Sequence, residues 1–271
     1  MTESVLAVAQ FAPTADTVGN LATIRELASK AVARGASLVV FPEYSSYFTP
    51  DLGQDWVDAA QTLDGEFVTR LGALSSELGI HIVAGMLERT DDAARASNTL
   101  VALDPSGSLV ATYRKLHLYD AFGAQESEWI LAGTLGAPET FAWGGFTVGL
   151  ETCYDLRFPE VTRHLVDAGA DLVLVPSEWV RGPLKEAHWR TLLTARAIEN
   201  TIYVAAADHA PPVGVGNSLV IDPMGVEIAT IGESVDVALA WLTPERVAAT
   251  RVTNPALALR RFDVSARAER R

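Results

Sequence analysis

Gly35-Ala36-Ser37-Leu38-Val39-Val40-Phe41-Pro42 and Gly169-Ala170-Asp171-Leu172-Val173-Leu174-Val175-Pro176 share one pattern at an offset of 134 residues. In each, a glycine opens an unbroken apolar, β-rich run that a proline closes, which is how a strand buried on both faces reads. Upstream of Gly35, the stretch Val18–Arg34 carries Leu21, Ile24, Leu27, Ala28, Ala31 and Val32 near helical spacing, so an amphipathic helix is expected there, ended by Gly35. Val5–Phe11 reads as the strand before it; Glu66–Leu78 as the next helix; Ile80–Met86 as the next strand. The rhythm then changes to a hairpin, with Asn98–Leu103 and Leu109–Arg114 flanking the turn residues Asp104-Pro105-Ser106-Gly107.

That hairpin has its own echo. Asn98-Thr99-Leu100-Val101 ahead of Asp104-Pro105-Ser106-Gly107 is matched by Asn217-Ser218-Leu219-Val220 ahead of Asp222-Pro223-Met224-Gly225, at an offset of 119. Two echoes in the same order predict two similar α/β halves, with two sheets packed face to face and helices outside. No Ser/Gly linker or charge run parts them, so residues 1–271 are expected to form a single domain. A C-terminal extension is expected from about Arg251. It ends in the basic run Ala266-Arg267-Ala268-Glu269-Arg270-Arg271, a solvated tail or a subunit contact.

Composition narrows the function. Apolar and aromatic residues make up 49% of the chain and charged residues 20%, which argues against disorder, and no run is long and apolar enough for a membrane helix. The net charge of −13 disfavours a phosphate-backbone partner, so neither nucleic acid nor membrane is expected. The beginning Met1-Thr2-Glu3-Ser4 lacks a basic leader pattern, and the single cysteine permits no intrachain disulfide; a cytoplasmic location is the expectation.

The sequence has no Walker-type phosphate loop, HExxH, paired CxxC or GxSxG. His81, His117, His164, His188 and His209 lack ligand spacing, so neither a metal nor a cofactor is expected. What remains is Cys153, which follows the strand-like Phe146–Thr152 and precedes a turn and helix. A lone cysteine is more often an inert packing residue, but the carboxyl end of a strand is where α/β sheets place ligands. A thiol nucleophile needs a base and a site for the oxyanion. Glu43, at the end of an apolar strand, is a candidate base; burial would raise its pKa toward the working range. Lys115, closing the run Leu109–Arg114, is a candidate cation against developing negative charge. Taken singly, each also reads as an ordinary surface residue.

Together these residues resemble the nitrilase superfamily of carbon–nitrogen hydrolases. The resemblance rests on Phe41-Pro42-Glu43, on Tyr113-Arg114-Lys115-Leu116-His117-Leu118, and on Cys153-Tyr154-Asp155-Leu156-Arg157-Phe158-Pro159-Glu160, in the family's order. It continues through Gly182-Pro183, His188-Trp189, Ala195–Asn200 and Asn217–Pro223, and covers the chain to about Val264. Gln125-Glu126-Ser127-Glu128 and Cys153-Tyr154-Asp155 are most similar to the ω-amidase and deaminated-glutathione-amidase-like branch. The resemblance implies a four-layer α-β-β-α sandwich, an assembly into homodimers or higher even-numbered oligomers, and amide rather than nitrile hydrolysis. It implies Glu43 as base, Lys115 as stabiliser of the tetrahedral intermediate and Cys153 as nucleophile, with the Tyr154 N–H as a further oxyanion donor. Glu126 is implied as the additional carboxylate near the triad.

The expected substrate is a small aliphatic amide, released as acid and ammonia through a thioester, with a carboxylate elsewhere in the molecule. Arg181 is a candidate partner for that carboxylate or else a solvated surface residue. Tyr44, Tyr47, Phe48 and Trp179 follow the two equivalent strand ends, as pocket walls or as core and dimer contacts. The alternatives are an N-carbamoyl amide hydrolase and a non-catalytic binding protein on the same fold.

Overall fold

The computed structural model describes residues 3–266. Its first half runs β1 (Ser4–Gln10), α1 (Thr17–Val32), β2 (Leu38–Val40), the short α2 (Gln54–Asp58), α3 (Glu66–Leu78), β3 (His81–Arg89), β4 (Ala96–Leu103) and β5 (Leu109–Arg114). After β6 (Ile130–Leu131) come β7 (Thr140–Trp143), β8 (Phe146–Leu150), α4 (Pro159–Asp167) and β9 (Leu172–Ser177). They are followed by α5 (Lys185–Asn200), β10 (Tyr203–Asp208), β11 (Leu219–Ile221), β12 (Glu227–Thr230), β13 (Asp236–Leu242) and α6 (Pro244–Thr253).

One sheet has the order β13-β1-β2-β3-β4-β5, with β6 paired to β4; the other has the order β7-β8-β9-β10-β11-β12. In each, three central parallel strands (β1, β2, β3 and β8, β9, β10) continue into an antiparallel hairpin, and an antiparallel strand closes the far edge. The two echoes in the sequence are thus equivalent pieces, β2 with β9 and β4 with β11. Their turns match atom for atom. Asp104 Oδ1 accepts from the backbone N–H groups of Ser106 and Ser108, and Asp222 Oδ1 from those of Met224 and Val226. Gly107 and Gly225 close the turns at φ of +83° and +82°, where a β-carbon would strain the backbone.

Period-2 alternation builds the layers. Leu6 and Val8 of β1, Leu38 and Val40 of β2, and Leu172 and Leu174 of β9 point into one core between the sheets. Ala7 and Ala9 of β1 and Val39 of β2 point the other way, onto Ile24 and Leu27 of α1 and Phe67 and Leu71 of α3. On the far side, Val173 and Val175 of β9 meet Leu165 of α4 and Trp189 and Leu193 of α5. The result is the expected α-β-β-α sandwich. Leu38 is fully buried between the sheets, and truncating such a side chain to Ala costs about 2–5 kcal/mol.

Local signals set the helix ends. Asp16 Oδ1 accepts from the N–H groups of Val18 and Gly19 and starts α1, and Gly79, at φ +67°, ends α3. Strand β3 runs three residues beyond the expected Met86, because pairing with β4 holds it as far as Arg89↔Ala96. The extension expected from about Arg251 begins inside α6 and continues to residue 266 without helix or strand. Met1, Thr2 and the end of the basic run, residues 267–271, lie outside the described residues. Among the described residues no helix is long and apolar enough to cross a membrane.

Candidate active site

Both sheets deliver chemistry at their strand ends. Glu43 follows β2, Lys115 directly follows β5, and Cys153 stands three residues past the end of β8. The chain turns sharply after these strands: Tyr44 and Cys153 both sit at positive φ, +54° and +45°, a costly conformation for residues with side chains. Pro42 O accepts from the Gly85 N–H at 3.1 Å, which seats the Glu43 turn on β3. The fit is so close that a Cβ on Gly85 would lie 2.6 Å from Glu43 Cα.

Glu43, Lys115 and Glu126 form a buried cluster. Lys115 Nζ lies 3.0 Å from Glu43 Oε1 and 2.9 Å from Glu126 Oε2. Asn98, from β4, donates to Glu43 Oε1 at 2.5 Å and to Glu126 Oε1 at 3.2 Å. The Tyr44 hydroxyl and the Tyr119 N–H donate to Glu126, each at 2.5 Å. Glu43 Oε2 accepts the Glu178 N–H at 2.6 Å, and the Glu178 carbonyl lies 3.4 Å from Cys153 Sγ. Residue 178 therefore touches both the carboxylate and the thiol through its backbone alone.

The electrostatics follow from burial. It raises the Glu43 carboxyl above its usual range, with Lys115 opposing and Glu126 reinforcing the shift. Glu126 is lowered: burial works against its charge, but Lys115, Tyr44 and the Tyr119 N–H prevail. Burial likewise opposes the Lys115 ammonium, yet Glu126 and Glu43 hold it well above its ordinary value. Burial and then the Glu43 carboxylate push the Cys153 thiol up, so it rests protonated and attack requires a base. His209 is pulled down to about 4 by burial; neutral, it donates from Nε2 to the Glu43 carbonyl at 2.7 Å.

A cavity of about 240 Å³ opens onto Cys153, lined by Tyr44, Phe48, Trp56, Lys115, Glu126 and Glu178 among others. A narrower recess beside it is formed by Tyr119, Tyr154, Arg157, Trp179 and Lys185. The structure thus brings Glu43, Lys115, Glu126, Cys153, Tyr154 and Trp179 together. Tyr47 and Arg181 are not among the residues that line the cavity. The Tyr47 hydroxyl donates to Asp55 at 2.8 Å, and Arg181 pairs with Glu233 at 2.5 Å with its side chain 47% exposed. Three charged lining residues, Arg157, Glu178 and Lys185, were not singled out from the sequence, nor were the aromatic Trp56 and Tyr119. A signal existed for Glu178: the 134-residue offset that pairs the two strands carries Tyr44, already singled out, onto it. Among the described residues no group of three or more His, Cys, Asp or Glu side chains is arranged to hold a metal ion.

A sandwich of two repeated sheets, with a thiol on one facing a buried Glu–Lys–Glu cluster on the other, defines a class of hydrolase. The family model described as "Carbon-nitrogen hydrolase" matches residues 5–252, and the chain belongs to that family. It is 42% identical over 265 residues to a deaminated glutathione amidase of Escherichia coli O157:H7, covering 95% of this chain and 97% of that one. Among solved structures, the C. elegans NitFhit protein matches at TM-score 0.88 and 31% identity, over 96% of this chain and 65% of that one, so this chain spans less than two thirds of NitFhit. A mutant of the amidase from Nesterenkonia sp. AN1, bearing acrylamide added at its active-site cysteine, matches at TM-score 0.77 and 28% identity, over 94% of this chain and 100% of that one.

Proposed function

We propose that the protein hydrolyses a small carboxylate-bearing amide to acid and amine or ammonia through a Cys153 thioester. The observation that carries this reading is the buried Glu43–Lys115–Glu126 cluster set against the chain's sole thiol. Glu43 Oε1 is occupied by Asn98 and Lys115, whereas Oε2, among the described residues, accepts only the Glu178 N–H and keeps a lone pair for a proton. Glu43 takes the proton of the thiol, and Sγ attacks the amide carbon. The oxyanion is met by the Lys115 ammonium and by the Tyr154 N–H, which has no backbone acceptor among the described residues. The C–N bond breaks as Glu43 passes its proton to the departing nitrogen. Water, deprotonated by the same carboxylate, then attacks the thioester, and the thiol is restored. Glu126, saturated by its donors, keeps Lys115 charged throughout.

The carboxylate preference is supported by two cations in the recess. Arg157 Nε and Nη2 are buried without hydrogen-bond partners among the described residues, and its guanidinium lies 4.7 Å from the centre of the Trp179 ring. Lys185 Nζ donates to the Tyr119 hydroxyl at 2.6 Å and retains further N–H groups. A substrate carboxylate would satisfy the fixed guanidinium donors. The deaminated glutathione amidase named among the relatives supports the same substrate chemistry.

The test is ammonia or amine release from succinamate, 2-oxoglutaramate, deaminated glutathione, neutral aliphatic amides, nitriles and carbamoyl amino acids, by wild type and by Cys153→Ala. Release that is fastest with carboxylated amides and absent in the variant is expected, with hydroxylamine diverting the thioester to a hydroxamate. Carbon dioxide release from carbamoyl substrates, or turnover surviving in Cys153→Ala, would overturn the reading. Exposed Ile198 on α5, beside Met224 and Val226 of the β11–β12 turn, supports the homodimer, which light scattering would check.

A further inference from the structure

The peptide unit between Glu43 and Tyr44 carries the strain of the Glu43 turn, because its orientation sets the Tyr44 φ of +54°. Such a conformation persists only where the surroundings over-determine it. From its own sheet the turn is held one residue earlier: the Pro42 carbonyl accepts from the Gly85 N–H at 3.1 Å and from the Ser45 hydroxyl at 2.7 Å. The strained unit itself is held from the other sheet. Its oxygen, Glu43 O, meets one hydrogen-bond donor among the described residues, His209 Nε2 at 2.7 Å.

His209 directly follows β10, and it is built in tightly. It is 1% exposed, and the Phe48 ring stands edge-on to it with centres 4.8 Å apart. A Cβ on Gly214 would lie 2.7 Å from His209 Cβ, so that neighbour has no slack to give. The Ala210 N–H donates to the Phe11 carbonyl at 3.0 Å, stitching the end of β10 to the end of β1 in the other sheet. One residue earlier, Asp208 Oδ1 accepts the Trp179 N–H at 2.6 Å, beside the Glu178 N–H that meets Glu43 Oε2. Two consecutive residues thus hold the turn that carries Glu43 and the turn that faces the thiol. We propose that His209 is a positioning residue for the reaction: its Nε2–H, by gripping the Glu43 carbonyl, stops the strained peptide unit from turning over and keeps the carboxylate against Cys153. This rests on the reading of Glu43 as the base.

The experiment pairs two readouts on the full chain: kcat and KM for the amide turned over fastest, and the rate at which iodoacetamide alkylates Cys153, the only thiol, followed by intact mass. His209→Phe keeps a ring against Phe48 and loses the donor; His209→Gln loses the ring and keeps an N–H donor of comparable reach. His209→Phe should lower kcat about tenfold or more with KM changed less than about twofold, as small misplacements of reacting groups do, and His209→Gln should recover most of the loss. A residue that acts through Glu43 must also fall silent without it, so His209→Phe should change the alkylation rate in the wild-type background and leave it unchanged in Glu43→Gln. Wild-type kcat in His209→Phe, a Gln variant worse than the Phe one, or equal effects on alkylation in the two backgrounds would overturn the proposal; His209→Met serves if circular dichroism shows the Phe variant unfolded. Undiminished turnover in Glu43→Gln would overturn the base itself, and the role of His209 with it. Coupled alkylation in a wild type that hydrolyses no amide would instead overturn the proposed reaction and leave the role of His209 standing.

Discussion

Asp155 and His117 are joined twice, Asp155 Oδ1 accepting from the His117 backbone N–H at 2.9 Å and lying 2.8 Å from its Nδ1. The other oxygen of Asp155 accepts the Tyr113 hydroxyl at 2.7 Å and the Thr152 N–H at 3.3 Å. Tyr113 and His117 lie two residues on either side of Lys115, and Asp155 lies two beyond Cys153. One buried carboxylate therefore ties the lysine segment of one sheet to the thiol turn of the other. Asp155→Asn, which replaces one accepting oxygen with a donor, should lower kcat about 10–100-fold while KM changes little, since small misplacements of reacting groups cost that much. Steady-state kinetics beside a melting curve would decide it, and an undiminished kcat would sink the idea.

Gly85→Ala places a methyl 2.5 Å from Tyr44 N and 2.6 Å from Glu43 Cα. Backbone cannot yield as a flexible side-chain tip can, so the Glu43 turn must move. We expect a loss of about 2–4 kcal/mol in stability, from overpacking at a site with no slack, and a fall in kcat of more than about tenfold in whatever folds. Urea titration and initial rates measure the two effects separately.

Glu151, two residues before the thiol, is fully buried; it accepts from the Thr162 hydroxyl, and burial raises it from 4.5 to about 7. The unfolded carboxyl ionises near the lower value and the folded one near the upper. Between them the native state binds the extra proton, so the group's contribution is whole below about pH 4.5 and is lost as pH rises through about 7. Glu151→Gln has no proton to lose. Its stability relative to wild type should climb across that window by on the order of 3 kcal/mol and level off above pH 8. Melting temperatures of both proteins at matched pH give the difference directly, and a flat difference would contradict a raised Glu151.

Arg181 pairs with Glu233 at the surface, whereas Arg157 offers buried donors beside Cys153 that have no partner among the described residues. Arg181→Ala should leave the ratio of KM values for carboxylated and neutral amides within about twofold, as exposed ion pairs contribute little. Arg157→Met should raise KM for the carboxylated substrate about tenfold or more while sparing the neutral one. The opposite ranking would return the carboxylate to Arg181.

Much of the architecture was legible because local chemistry repeats. The Gly-Ala-x-Leu-Val runs and the Asp-Pro-x-Gly turns recur in order, and β2 with β9 and β4 with β11 occupy equivalent places. Glu43, Lys115 and Cys153 each stand at or just past a strand end, but what set them apart in the sequence was the occurrence together, and in the family's order, of Phe41-Pro42-Glu43, Tyr113–Leu118 and Cys153–Glu160. Arg157 and Lys185 were not legible: the one lies in a 3₁₀ turn, the other opens α5 after a loop, and no periodicity says that both turn toward the thiol. Tyr47 and Arg181 show the reverse difficulty. Proximity in sequence to a site residue does not fix side-chain direction, and each has a carboxylate nearer at hand, Asp55 and Glu233.

Because Cys153 hangs from one sheet and Glu43 and Lys115 from the other, neither half-chain carries the whole candidate site. Cut within the segment between β6 and β7, the two fragments would each be chemically mute. Turnover regained on mixing them would count correctly docked pairs, making the enzyme a gauge of its own assembly.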